Sequence, residues 1–219
     1  MQYGLSPHVH LADVDGDLVL MDTRHNQYFC IARDAAAAVR GELVGGNRFR
    51  GHLALLGELE AAGLYGSQDS VQPFQAVPHL AEVDIFGELP DALSFGDMLA
   101  LTRAAARAWC RLRLGRPSDW LETARHRNRM ARHTEMAAAR VHALARRSYL
   151  ARALFPGAAR CLPNSMLLLE LLDLNGLGAR WVFGVRTFPF EAHCWVEHEG
   201  VILNDTIDHV RWYTPIVAV

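Results

Sequence analysis

The sequence predicts an α+β protein in two parts, and three patterns carry that prediction. Residues 1–68 run as three short alternating stretches followed by helical ones. Residues 81–154 read as helix. From Pro156-Gly157 onward a further helix is followed by three β-rich runs.

The elements follow in order. His8–Val14 alternates in character, and Asp15-Gly16 behind it is a hairpin turn signal. Asp17–Asp22 is the return strand, and the polar turn Thr23–Asn26 leads to a third strand, Gln27–Ile31. Asp34 is the expected cap of a helix that begins Ala35-Ala36-Ala37-Ala38. A second helix, Gly51–Ala62, ends at Gly63 in the manner of a C-terminal glycine. Three strands and then helices describe a winged-helix-like module. The stretch SQDSVQPFQAVPHL (67–80), with Ser, Gln and two prolines, reads as a linker. This divides the chain into a module at 1–68, a connection at 69–80 and a larger domain at 81–219. In that domain a helix covers Leu162–Leu174 and stops at Asn175-Gly176. Arg180–Arg186, Ala192–Glu197 and Val201–Asp205 are then strands of an antiparallel sheet, the last two joined around His198-Glu199-Gly200.

Composition narrows the function. The chain has 219 residues, is half hydrophobic and carries a net charge of −2, so general attraction to nucleic acid or to a membrane surface is not expected. All 22 basic residues are arginine, which excludes chemistry that needs a lysine base or Schiff base. Fourteen of them fall between Arg103 and Arg160 against three acids, Asp119, Glu122 and Glu135. That stretch reads as a solvated helical face, with a surface for an acidic peptide as the alternative. The N-terminus has no basic start before an apolar run, and the apolar stretch Met166–Leu174 is broken by Glu170 and Asp173. A cytoplasmic protein is expected. Four cysteines without a Cys-x-x-Cys pair suggest neither a disulfide scaffold nor a structural zinc, and His8-x-His10 supplies only two ligands. Neither a metal nor a cofactor is expected.

The informative residue is Pro163. Inside a helix it would remove a hydrogen bond and clash with the preceding turn; in the first turn its missing N–H costs nothing. The helix therefore begins at Cys161 or Leu162, and Cys161 lies beside the free N–H groups and the positive end of the dipole. A thiolate is stabilised there, and the thiolate is the nucleophile. A base is then needed. His193 lies in the alternating run Ala192-His193-Cys194-Trp195-Val196-Glu197 and shares a face with Trp195 and Glu197. Asp205 is the expected orienting carboxylate, provided that a three-residue turn, His198–Gly200, pairs Glu197 with Val201 and so His193 with Asp205. A two-residue turn would put Thr206 opposite His193. Asp208 lies beyond the predicted register.

The motifs Cys161-Leu162-x-x-Ser165, Phe183-Gly184-Val185-Arg186, Pro189-Phe190, Ala192-His193-x-Trp195-Val196-Glu197 and Asn204-Asp205 resemble the transglutaminase-like cysteine peptidases of lasso peptide biosynthesis, the B proteins. The N-terminal module resembles the PqqD-like element that recognises precursor leader peptides. The resemblance implies a transglutaminase/papain-like domain, with Cys161 as nucleophile, His193 as base and Asp205 as orienter. It implies cleavage of a leader from a ribosomally made precursor, so that a partner asparagine-synthetase-like cyclase closes the macrolactam. Two departures are visible: Cys194 stands where alanine is usual, and Pro163-Asn164 fills a variable pair. The leader is expected to add as a strand to the edge Gln27–Ile31, against Tyr28, Phe29, Cys30, Leu55 and Leu59. Two rival functions remain at this point: an acyltransferase, in which an amine accepts the thioester, and a non-catalytic presenter of the precursor.

Overall fold

The computed structural model describes residues 2–45, 53–68, 76–79, 81–86, 92–131, 134–155 and 160–219. Most of the linker assigned to 69–80, and Gly51 and His52 of the second helix, lie outside the described residues.

Three N-terminal strands form where the alternation predicts them: β2 (Val9–Val14), β3 (Asp17–Asp22) and β4 (Gln27–Ile31), in the antiparallel order β2-β3-β4. Asp15 and Gly16 both have positive φ, 51° and 98°, the backbone of a two-residue hairpin turn. Helices α1 (Arg33–Gly45) and α2 (Leu53–Ala61) follow. α1 starts ahead of the expected cap. Asp34 lies within the first turn, where its charge suits the dipole, and the Asp17 carboxylate accepts the Arg33 N–H at 2.8 Å. Gly63 closes α2 with φ +72°, and the Leu64 N–H returns to the Leu59 carbonyl at 2.8 Å. A further pair, β1 (Gln2–Leu5) with β5 (Tyr65–Gln68), escaped the sequence reading. Both strands are short, and β5 runs into the stretch that reads as linker.

Every residue of β3 is buried, because each face of the sheet has its own core. Leu18 and Leu20 pack with Val9, Leu11, Phe29 and Ile31 against α1 and α2, through Val39, Leu56 and Leu59. Val19 and Met21, with Ala12, Val14 and Tyr28, pack into the core of the C-terminal part beside Phe183, Val185 and Ile216. The period of two in a strand sends alternate residues to opposite cores. The two parts therefore share an apolar interior.

The C-terminal part is built around one helix. Helices α3 (Phe95–Leu114), α4 (Pro117–Met130) and α5 (Glu135–Ala151) lead through a 3₁₀ turn at 152–154 to α6 (Cys161–Asp173). Ser94 and Asp97 form a reciprocal capping box on α3, Pro117 opens α4, and Thr134 caps α5. α6 is buried without a break from Asn164 to Leu172, as an apolar helix must be. Among the described residues no helix is long and apolar enough to cross a membrane.

The sheet beside α6 has the order β10-β7-β8-β9-β6, from β6 (Val83–Asp84), β7 (Arg180–Arg186), β8 (Glu191–His198), β9 (Val201–Ile202) and β10 (Thr214–Ala218). It is mixed rather than antiparallel throughout, since β6 pairs parallel to β9. β6 is too short to show an alternation and falls within the stretch whose pattern predicts helix, and β10 lies beyond the three β-rich runs that the sequence predicts.

The β8–β9 turn corrects the sequence expectation. It is a two-residue turn, Glu199 (φ 50°) and Gly200 (φ 82°), pairing His198 with Val201 and Glu197 with Ile202. Continued, that register would bring Thr206 opposite His193. The strand does not continue. The Leu203 N–H still reaches the Val196 carbonyl at 2.8 Å, but the Val196 N–H is taken by the Asn204 side-chain oxygen, also at 2.8 Å. A side chain thus replaces the backbone acceptor, the ladder ends, and the chain turns at Asp205 into the short helix α7 (Ile207–Val210).

One cluster of charge lies inside this packing. Glu170, fully shut off from solvent on α6, meets Arg107 Nε at 2.8 Å, Arg111 Nε at 2.5 Å and Arg127 Nη1 at 2.8 Å. Asp173, one turn on, takes Arg107 Nη2 at 2.5 Å and Arg127 Nε at 3.0 Å. Part of the basic stretch thus points inward, and the solvated-face reading does not hold for these three arginines. Replacing Glu170 by Gln leaves three guanidinium groups against a neutral amide. We expect that change to lower unfolding free energy by about 3 kcal/mol in a urea titration. An unchanged midpoint would show that the cluster adds nothing to stability.

Candidate active site

Cys161 is the first residue of α6, and its N-cap, Arg160, makes no side-chain cap bond. Pro163 falls in the first turn, as its chemistry requires. Ser165, one turn into the helix, is fully buried and ties α6 to the sheet. Its hydroxyl donates to the Cys194 carbonyl at 3.3 Å and accepts from Asn204 Nδ2 at 2.9 Å. Asn164 Nδ2 reaches the Asn204 carbonyl at 3.3 Å. The residue that ends the β9 ladder is therefore pinned to the helix that starts with Cys161.

His193 projects from β8, opposite Gly184 of β7. A side chain at Gly184 would collide with Trp195 and Tyr213, whose atoms lie 2.9 Å from where its Cβ would stand. The missing side chain lets both rings close on His193, with centroids at 6.1 Å for Trp195 and 4.9 Å for Tyr213. His193 Nε2 is 2.5 Å from Asp205 Oδ2. The Asp205 carboxylate also accepts the Thr206 N–H at 2.7 Å, and His209 Nδ1 lies 3.0 Å from both of its oxygens. With Nε2 engaged, Nδ1 is the nitrogen left for the Cys161 sulfur, which lies near enough for the two side chains to shift each other's titration.

The electrostatics of these groups run in one direction. The Cys161 thiol is pulled down to about 4. The Cys194 side chain is the main cause; burial opposes it, and His193 and the Cys194 backbone add to the fall. Cys194 moves the other way: complete burial raises its thiol well above the ordinary value and keeps the proton on it. Burial alone would lower His193, but the hydrogen bonds with Asp205 and Cys161 outweigh it and raise the imidazole to about 9. Burial would raise Asp205; hydrogen bonds from His193, Thr206 and His209 bring it below its usual value instead. These directions favour a Cys161 thiolate beside a His193 imidazolium near neutral pH, with Asp205 ionised behind it.

His193, Asp205 and His209 each offer one ligand atom, all within 4.8 Å of one another, and so could hold a metal ion. Metal ligands about 2 Å from an ion lie roughly 3.3 Å apart, so the 2.5 Å contact between His193 and Asp205 fits a hydrogen bond better.

A family model described as the transglutaminase-like superfamily matches residues 98–218, more than half of the chain. The chain belongs to the transglutaminase-like superfamily. A stretch of 45 residues, 20% of this chain, is 44% identical to the Microcin J25-processing protein McjB of Escherichia coli and spans 22% of that protein's length. No solved structure gives a significant match.

The structure brings Cys161, His193 and Asp205 of this transglutaminase-like chain together, although Asp205 arrives by the break at Asn204 and not by strand register. The N-terminal candidates do not stand together. Cys30 is exposed on β4, Phe29 and Leu55 are half-buried against the module's own core, and Leu59 lies within that core. Tyr28 faces the opposite way, toward the C-terminal core. Sequence reasoning missed His209, whose position four residues after Asp205 is a helical spacing, and it saw Cys194 only as a departure from the family pattern.

Asp205→Asn keeps a side chain of the same shape and removes the charge. The carboxylate is a cause of the raised His193 pKa, so the His193 midpoint should fall in the variant. An NMR titration of the imidazole C–H signals reads this directly; an unmoved midpoint would remove Asp205 as its cause.

Proposed function

We propose that this protein is a cysteine peptidase that removes the leader from a ribosomally made lasso precursor peptide. The carrying observation is the placement of Cys161 at the start of α6 beside His193, with Asp205 hydrogen-bonded behind the imidazole. The name of the partly matching relative, a microcin-processing protein, supports the substrate class. The transglutaminase-like family supports the reaction class.

The steps follow from the groups at hand. The Cys161 thiolate adds to the carbonyl carbon at the leader–core junction, and its oxygen becomes an oxyanion. The Cys161 backbone N–H, free at the helix N-terminus, is the expected donor to that oxygen. As the tetrahedral species collapses, the C–N bond breaks and the His193 imidazolium gives its proton to the departing amine, the new N-terminus of the core. His193, now neutral, takes a proton from water, and the hydroxide adds to the thioester. Loss of the thiolate releases the leader as a carboxylic acid and restores the ion pair. Asp205 holds the imidazole in the tautomer and orientation that both transfers need.

In this reading the module at 1–68 is the PqqD-like leader-recognition unit. Among the described residues β4 is an edge strand of its sheet, and the leader pairs there beside Phe29 and Cys30, with Leu55 and Leu59 behind them. An asparagine-synthetase-like cyclase receives the freed core. The acyltransferase alternative differs only in the acceptor. With precursor as substrate, mass spectrometry separates the outcomes: free leader and core for the peptidase, a new isopeptide bond for the transferase.

Cys161→Ala should slow leader release by roughly 10³-fold or more. Release at the wild-type rate would leave a non-catalytic presenter. The pH dependence has a worked sign. Below about 4 the sulfur gains a proton and loses its nucleophilicity; above about 9 the imidazolium loses the proton that the amine requires. The profile of kcat/KM should therefore be a bell with a broad top between these limits, which belong to the pair as a whole. A profile that rises only near pH 8.5, as for an ordinary thiol, would rule out the ion pair.

A further inference from the structure

Residues of β4 alternate between two cores, and Tyr28 is the one whose ring crosses toward the C-terminal domain. It is half-buried, stands opposite Met21 of β3, and packs against the same apolar cluster as Cys161, Leu162 and Ala192. Its ring centroid is 5.6 Å from that of Phe190, tilted by 56°. Phe190 directly precedes β8 and stands three residues before His193, with nearly half its surface exposed. Burial, with smaller contributions from the sulfurs of Cys194 and Cys161, raises the Tyr28 phenol and keeps it protonated. An aromatic pair, one ring from each part of the chain, thus stands over the cluster against which Cys161 also packs, with Tyr28 near enough to the Cys161 sulfur to feel its charge.

We propose that Tyr28 is a specificity-determining residue of the peptidase: with Phe190 it forms an aromatic wall beside Cys161 that orients the extended peptide segment flanking the scissile bond. This rests on the peptidase reading and adds to it. In this reading the module that recognises the leader also supplies one side of the cleavage site. A rigid aromatic face positions an extended peptide with little loss of side-chain entropy, because a tyrosine has few rotatable bonds to fix. The location has a further consequence. A leader added to β4 lies alongside the strand that carries Tyr28, so leader binding and cleft geometry are set by one element. Phe29, the next residue, faces the module's own core and belongs to leader recognition alone.

The test uses the full chain, supplied with its cyclase, and two peptides: the whole precursor, and a short peptide covering only the junction and lacking the leader. Leader binding is measured separately by fluorescence anisotropy with a labelled leader. The rate of Cys161 alkylation by iodoacetamide reports whether the nucleophile is intact. In Tyr28→Ala, kcat/KM for the short peptide should fall on the order of tenfold, or about 1.4 kcal/mol of transition-state positioning. Leader affinity and alkylation rate should stay within about twofold. Tyr28→Phe, which keeps the ring, should recover most of the loss. Phe190→Ala removes the other half of the wall without touching the module core and should lower short-peptide turnover in the same way. If Tyr28→Ala cleaves the short peptide at the wild-type rate, or loses turnover only of the whole precursor in step with weaker leader binding, Tyr28 is a leader contact and the proposal is overturned. Wild-type protein that leaves both peptides intact would overturn the peptidase reading and this role with it; wild-type cleavage beside an unaffected Tyr28→Ala overturns this role alone.

Discussion

The Glu170 carboxylate holds the architecture to one solution. A carboxylate with no solvent exposure is tolerated only when its charge and its lone pairs are fully met. Here the partners come from α3 and α4, through Arg107, Arg111 and Arg127. Three guanidinium groups converging on two oxygens fix the rotation of α6 about its axis, which an apolar surface of Met and Leu side chains would leave loosely defined. That rotation matters at the other end of the helix. Cys161 leads α6, and Ser165, on the same face one turn later, is hydrogen-bonded into β8. A helix turned by one residue would separate the sulfur from His193.

The second constraint is the doubly buried strand β3. Its residues Val19 and Met21 leave the N-terminal core and enter the one that contains Leu168, Leu172 and Cys194. Each such side chain contributes about 1.5–3 kcal/mol when removed from water. Together they join the module to the C-terminal part more firmly than the separate domains suggested by the linker composition would require. Tyr28 inherits its position from this packing. In the proposed reading, the sheet presents β4 to a leader only by also holding the Tyr28 ring against the C-terminal core.

Much of this was legible, and the legible parts have local causes. Pro163 fixes the start of α6 through its own ring and missing donor, so Cys161 could be assigned to a helix N-terminus from a handful of residues. β2, β3 and β4 follow from alternation and from Asp15-Gly16. The failures have non-local causes. The β8–β9 turn was misjudged by one residue, because His198-Glu199-Gly200 supports either turn length and the choice depends on the whole sheet. That error should have moved Asp205 to the wrong face. It did not, because Asn204 ends the ladder with its side chain, an event no periodicity announces. The inward arginines were hidden likewise: their sequence pattern is that of a solvated face, and only the partner carboxylate, Glu170, 43 residues from Arg127, shows otherwise.

Cys194 shows what a single departure from a family pattern can do. An alanine there would offer Cys161 nothing, whereas the buried Cys194 thiol, which keeps its proton, lowers the Cys161 pKa and so favours its thiolate. The gain has an opposing side. Thiolate nucleophilicity falls with its pKa, so a strongly stabilised sulfur attacks more slowly, while the same sulfur is a better leaving group from the tetrahedral species. Attack on an amide must then be completed by protonating the amine before the thiolate departs backward. His193 is suited to that demand: Asp205 and the thiolate together keep it charged far above neutral pH, so the proton is in position when the C–N bond weakens. In the proposed reaction, the more the sulfur is stabilised, the more the chemistry depends on the imidazolium, and hence on the Asn204 break that delivers Asp205 to it.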